Sequence, residues 1–151
     1  MQAHKGFIVL TGEVGTGKTT MIECLLEHLD SQRTEFAMVV NSRLDTGQFF
    51  EMIAYDLDLH CNRTSKTEVL FALNEFLIRE SQQGRTVVLI VDEAHNLEWD
   101  VLEEIRLLGN LENRRGKLLQ ILLAGQPELD RRASRSRRSM RSRRTFVRAA
   151  G

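Results

Sequence analysis

A chain of 151 residues, 42% hydrophobic and with a formal net charge of zero, has the size and apolar content of one domain around one buried core. No stretch approaches the roughly 20 apolar residues that cross a bilayer, residues 1–5 do not read as a signal peptide, and the two cysteines and four histidines lie too far apart for a disulfide framework or a zinc site. The zero net charge joins two unlike pieces: residues 131–151 hold nine arginines and no acid, which leaves 12 Lys and Arg against 21 Asp and Glu, or −9, over residues 1–130.

The first element is the short β-branched run Gly6-Phe7-Ile8-Val9-Leu10-Thr11, followed at once by glycines, which predicts a buried parallel strand. From Lys18 the spacing becomes helical, with Met21, Ile22, Leu25, Leu26 and Leu29 on one stripe. Phe36–Val40 reads as a second strand, and Phe49, Phe50, Ile53, Ala54 and Leu57 mark a helix. The capping-box spacing of Ser65 and Glu68 announces another helix, carried by Val69, Leu70, Leu73, Phe76 and Leu77 and stopping near Gly84.

Thr86–Val91 is the strongest strand signal and runs directly into Asp92-Glu93-Ala94-His95. A helix through Val101, Leu102, Ile105, Leu108 and Leu111 precedes a fourth strand, Leu118–Leu123. Strands alternating with helices predict an α/β domain built on a parallel sheet. After Leu129 the chain turns abruptly to Arg and Ser, with only Met140, Phe146 and Val147 as sizeable apolar groups, and such a segment is expected to stay disordered.

Two motifs carry chemistry. Gly12-Glu13-Val14-Gly15-Thr16-Gly17-Lys18-Thr19 spells the phosphate loop G-x-x-x-x-G-K-[ST] in full, between a strand and a helix as that pattern requires. Glycines are needed because backbone N–H groups must wrap a polyphosphate through conformations that a Cβ opposes, and the helix start adds donors and a positive dipole end. Lys18 would reach the β and γ phosphates, the Thr19 hydroxyl would ligate Mg²⁺, and Thr20, the last of the nucleotide-contacting stretch, would pack or cap. At the tip of the strongest strand, Asp92 is the candidate for holding Mg²⁺ together with Thr19. Glu93 is the candidate for orienting the attacking water. Gln126, after the fourth strand, either senses the γ-phosphate or is a loop residue before the Pro127 turn. His95 either couples Glu93 to a neighbouring surface or is structural, and it stays outside the catalytic set of Glu93, Lys18 and Gln126.

The runs GFIVLTGEVGTGKTT, VVLIVDEAHNL and LLQILLAGQPEL together resemble the AAA+ ATPases of the general secretion pathway protein A group, over about residues 5–129. Related ATPases of exopolysaccharide and transposition systems share parts of this spelling. The resemblance implies a three-layer P-loop NTPase core with a parallel sheet flanked by helices, ATP and Mg²⁺ as ligands, and self-association as a ring or dimer. It further implies a role in energising the assembly of a secretion or envelope apparatus, from the cytoplasm and peripherally at the inner membrane through partners. By position, Gly12–Thr19 match the Walker A loop, Asp92 and Glu93 the Walker B pair, and Gln126 the sensor-1 place.

The chain departs from that pattern at both ends. It starts a few residues before the first strand, where relatives carry a segment that helps hold adenine, and after GQPEL it shows RRASRSRRSMRSRRTFVRAAG where relatives continue into a fifth strand and a helical lid. The expectation is therefore a core over 1–129 without a lid, an unpaired edge on the first strand, and a disordered tail over 130–151. That tail would be either an out-of-frame end or a basic arm for nucleic acid or anionic lipid. The rival functions are a nucleotide-dependent DNA-binding helper of the transposition-regulator type and a fragment that binds ATP with little turnover. A DEAH-type helicase, suggested by residues 92–95, would need a second motor domain. Arg106, Arg114 and Arg115 are the candidates for an arginine donated to a neighbouring subunit.

Overall fold

A computed structural model describes residues 6–13, 15, 17–29, 33–40, 43–135 and 144–148. In chain order, β1 (Phe7–Thr11) leads through a glycine loop into α1 (Lys18–His28), and β2 (Thr34–Val39) is followed by α2 (Thr46–Asp56) and α3 (Lys66–Gln82). β3 (Thr86–Val91) passes through a 3-10 turn, Ala94–Asn96, into α4 (Trp99–Leu108). A small hairpin of β4 (Glu112–Asn113) and β5 (Gly116–Lys117) then precedes β6 (Leu119–Gly125), α5 (Glu128–Arg135) and β7 (Arg144–Arg148).

Five of these strands form one parallel sheet in the order β2-β3-β6-β1-β7. Its register aligns Val9 with Leu123 and Leu123 with Val91, so the three strand tips that follow lie side by side. The period-two alternation of side chains sorts the apolar residues between two cores. Phe7, Val9, Val87, Leu89, Val91, Leu119, Ile121 and Leu123 face the larger core with α2, α3 and α4. Leu10, Val88, Ile90, Leu122 and Ala124 face the smaller one, capped by Ile22 of α1. A sheet buried on both faces explains why its strands read as continuous apolar runs.

The connection from β1 to β2 and that from β6 to β7 run in opposite directions across the sheet. The β1–β6 boundary is thus the topological switch point, and ligands of open parallel sheets bind at such a point, outside the carboxyl ends of the strands.

Local signals account for the element ends. Asp45 and Gln48 form a full capping box at α2, with Gln48 N–H donating to Asp45 Oδ1 at 2.8 Å and Asp45 N–H to Gln48 Oε1 at 3.1 Å. The box expected at Ser65 and Glu68 is only half made: Glu68 N–H reaches Ser65 Oγ at 3.3 Å, while the Glu68 carboxylate accepts from Asn62 N–H at 2.9 Å and ties down the preceding loop instead. Gly109, at the end of α4, has an ordinary helical φ of −67°. Its need is steric, since a Cβ there would lie 1.9 Å from Phe7 Cε2.

The expectation that order ends at Leu129 does not hold over two stretches. Residues 128–135 are helical, anchored by the fully buried Leu129, and Arg144–Arg148 pair in parallel with all five residues of β1. β1 therefore has neighbours on both sides, and the unpaired edge foreseen for it is absent. Composition weighs apolar side chains alone, whereas a strand edge already in place also offers a full row of backbone donors and acceptors to a short β-prone run such as Thr145-Phe146-Val147. The arginine- and serine-rich stretch 136–143 lies outside the described residues.

Candidate nucleotide site

The glycine loop begins where β1 ends. Thr11 is buried, and the Gly12 N–H donates to the Gly125 carbonyl at 3.2 Å, which prolongs the β1–β6 pairing by one residue into the loop. Gly15 and Gly17 both adopt φ of +83°, and a Cβ at either would meet nothing within 4 Å. The demand for glycine here is conformational and not steric. Open space lies beside both, with room for a ligand against the backbone.

Gly17 is the N-cap of α1, with no side-chain cap and no acid in the first turn. Free amides and the positive end of an 11-residue helix thus point at the loop. Lys18 folds back over that loop, its Nζ donating to the Gly12 carbonyl and, at 3.0 Å, to that of Glu13. Thr19 is exposed at the helix start. Thr20 lines an apolar groove with Ile8, Leu10, Met21 and Leu122 along α1. Val14 and Thr16 lie outside the described residues.

Asp92 continues β3, its N–H donating to the Val39 carbonyl at 3.0 Å, and its Oδ1 accepts the Glu93 N–H at 2.8 Å. The chain then turns sharply, because Glu93 adopts φ 54°, ψ 31°. For a side chain without local compensation this left-handed conformation costs about 1–3 kcal/mol, and strain of that kind concentrates at functional sites. β1 and β3 are second neighbours in the sheet, so the loop after Thr11 and the Asp92-Glu93 tip are separated by one strand width on each side of β6, or roughly 10 Å. Gln126 follows β6 between them.

The family model described as an AAA domain matches residues 1–133. The chain belongs to the AAA domain family. This AAA domain is 42% identical over 130 residues to the general secretion pathway protein A of Aeromonas hydrophila, which covers 85% of the chain and 24% of that protein, so the chain spans about a quarter of its relative's length. Among solved structures it is similar to Cdc6p of Pyrobaculum aerophilum, with a TM-score of 0.72 at 23% identity over 95% of this chain and 38% of that one. Drosophila ORC bound to DNA matches with a TM-score of 0.66 at 17% identity, over 96% and 37% of the respective chains. Identities this low show the fold alone: a parallel sheet flanked by helices, with P-loop NTPase topology.

The AAA domain also contains contacts that its sequence did not announce. His95, barely exposed, lies with Nε2 3.3 Å from Glu93 Oε2 and with Nδ1 accepting from the Gln126 main-chain N–H at 3.0 Å. Its carbonyl accepts from Arg132 Nη1 of α5 at 2.7 Å. Gly125, immediately before Gln126, is the signal that could have pointed to this packing, because a Cβ there would lie 3.0 Å from both the N and Nδ1 of His95. Of the arginines weighed for donation to a neighbour, Arg106 is engaged by Glu103 at 3.0 Å. Arg114 and Arg115 form the β4–β5 turn, before β6 begins and hence at the opposite end of the strands from the glycine loop, and Arg115 Nη1 donates to the Ser81 carbonyl at 3.3 Å.

The residues present fit a magnesium-bound triphosphate. Among the described residues no cluster of three or more His, Cys, Asp or Glu could hold a metal by itself. Mg²⁺ typically takes one or two protein ligands and completes its shell with phosphate oxygens and water, a demand that Asp92 and Thr19 can meet. No described helix is long and apolar enough to cross a membrane.

Proposed function

We propose that this AAA domain binds ATP with Mg²⁺ and hydrolyses it, and that it thereby energises the assembly of a secretion or cell-envelope apparatus on the cytoplasmic side of a membrane. The observation that carries the reading is the common location of the two motifs: the glycine loop capping α1 and the Asp92-Glu93 tip of β3 open at the same carboxyl end of one parallel sheet, on either side of β6. In this reading Gly12 to Gly17 and the α1 amides wrap the phosphates, and Lys18 leaves the carbonyls of Gly12 and Glu13 to neutralise the β and γ phosphates. Thr19 and Asp92 hold the metal, which when bound offsets charge on the phosphate oxygens. Glu93 orients a water toward the γ-phosphate, and Gln126 reports that phosphate to the end of β6.

The experiment is Mg²⁺-dependent phosphate release by the purified chain, compared with Lys18→Ala and Glu93→Gln. Lys18→Ala should lose nucleotide binding, whereas Glu93→Gln should still bind ATP and fail to turn it over. Turnover that survives both substitutions would rule out the reading. The secretion role rests on the likeness to general secretion pathway protein A, and self-association would accompany it. The nine arginines after residue 130 favour a second reading, a nucleotide-dependent DNA-binding helper. Duplex binding with a steep salt slope, lost on deleting residues 131–151, would select it.

A further inference from the structure

The geometry points to His95 as a positioning residue for Glu93, one whose ring is itself set by the main chain of Gln126. This rests on the proposed role of Glu93 as the group that orients water. A backbone amide can only donate, so the 3.0 Å contact from Gln126 N–H requires an unprotonated, lone-pair-bearing Nδ1 on His95. The proton of the neutral ring must then sit on Nε2. Nε2 lies 3.3 Å from Glu93 Oε2, an ion-pair distance without an aligned hydrogen bond, so Nε2–H is the group that faces this carboxylate and would donate to it on a small rotation of the Glu93 side chain. The tautomer, and with it the polarity of the whole chain from β6 to Glu93, is dictated by one main-chain donor.

Both ends of this link are unequal in the way a positioning role requires. The His95 side chain is 9% exposed and that of Glu93 is 51% exposed. The ring is held from behind: Gly125 leaves it no spare space, and Arg132 of α5 fixes the carbonyl of the same residue at 2.7 Å. Glu93, by contrast, projects from a left-handed turn with half its surface in solvent, where an unsupported carboxylate would sample several rotamers. His95 therefore restricts the one group in the site whose orientation matters most for attack on phosphorus. It also ties that orientation to the position of Gln126, so a shift at the end of β6 is passed to Glu93 through a single rigid ring.

Two substitutions separate the two ring nitrogens. In His95→Asn the amide oxygen falls near the Nδ1 position, keeping an acceptor for Gln126 N–H but ending short of Glu93. In His95→Gln the amide nitrogen falls near the Nε2 position and keeps the donor to Glu93. A small misplacement of a reacting group can cost up to about a hundredfold in rate. His95→Asn should therefore lower kcat roughly tenfold to a hundredfold, while KM and nucleotide affinity stay near wild type and the unfolding midpoint is retained. His95→Gln should recover most of the lost turnover. A merely structural histidine would give the reverse order, with His95→Asn close to wild type and His95→Gln impaired, and that result would overturn the assignment.

An independent readout needs no turnover. Nitrogen-15 spectra of the histidine rings in the nucleotide-free chain should show His95 as the Nε2–H tautomer, with Glu93→Ala moving the Nε2 signal and leaving Nδ1 unchanged. An Nδ1–H tautomer, or an Nε2 signal indifferent to Glu93→Ala, would refute the link. If the wild-type chain releases no phosphate, the hydrolysis reading fails by itself, and the ring spectra still decide the contact between His95 and Glu93.

Discussion

The Gly12 amide and the Gly125 carbonyl are joined at 3.2 Å, which makes the entrance of the glycine loop and the exit of β6 one continuous piece of backbone pairing. Gly125 has a second neighbour on its other side, the His95 turn, at a distance that leaves no space for a methyl group. A methyl at position 125 would thus disturb the phosphate side and the carboxylate side of the site together. Gly125→Ala should destabilise the chain by about 1–3 kcal/mol, the usual range for overpacking, and lower kcat more than nucleotide affinity. Urea unfolding alongside steady-state turnover measures both, and an unchanged pair of values would show that the turn has slack.

Gly109 tests packing far from the chemistry. An added Cβ would overlap the Phe7 ring at 1.9 Å from Cε2, and backbone at the end of α4 must shift to relieve it. Gly109→Ala is expected to cost roughly 1–3 kcal/mol despite a backbone conformation that alanine favours. Its urea midpoint should fall while nucleotide affinity per folded molecule is unchanged.

Truncation after Arg135 removes β7 and exposes the side of β1 that pairs with Arg144–Arg148. Net hydrogen-bond contributions of about 0.5–1.5 kcal/mol each suggest a loss of roughly 2–4 kcal/mol over such a strand, together with concentration-dependent association through the bare edge. Denaturant unfolding and light scattering over a range of concentrations are the measurements. Equal stability and unchanged scattering would mean that β7 contributes nothing to the fold.

Metal dependence follows from the sparse protein ligand set. With Asp92 and Thr19 as the proposed protein donors, chelation should abolish turnover while leaving the far-ultraviolet spectrum of the chain intact. Asp92→Asn should raise the Mg²⁺ concentration needed for half-maximal rate. Basal turnover should be slow, because an arginine supplied by a neighbour is worth about 10³ to 10⁵ in P-loop enzymes.

Both motifs of the candidate site are legible in the sequence. The loop from Gly12 to Thr19 and the acids at the end of Thr86–Val91 are contiguous in sequence, and contiguous motifs depend on local backbone conformation and on the order of strand, turn and helix. The apolar runs of β1, β3 and β6 likewise declare themselves, since strands buried on both faces need no alternation. The capping box at Asp45 and Gln48 is present in the spelling, whereas at Ser65 and Glu68 a competing acceptor role for Glu68 leaves the motif half formed.

What the sequence by itself determined was the class of the fold and the placement of the glycine-loop and acidic strand-tip motifs between their elements, because each is encoded within a dozen neighbouring residues. Only the tertiary structure decided that Arg144–Arg148 complete the sheet beside β1, and that Gln126, His95 and Glu93 form one chain of contacts. Those relationships join residues up to 137 positions apart, as in the pairing of Phe7 with Arg144 (144 − 7 = 137), and their energy comes from filling a vacant strand edge or a vacant acceptor. Such vacancies exist only once the rest of the chain has folded around them.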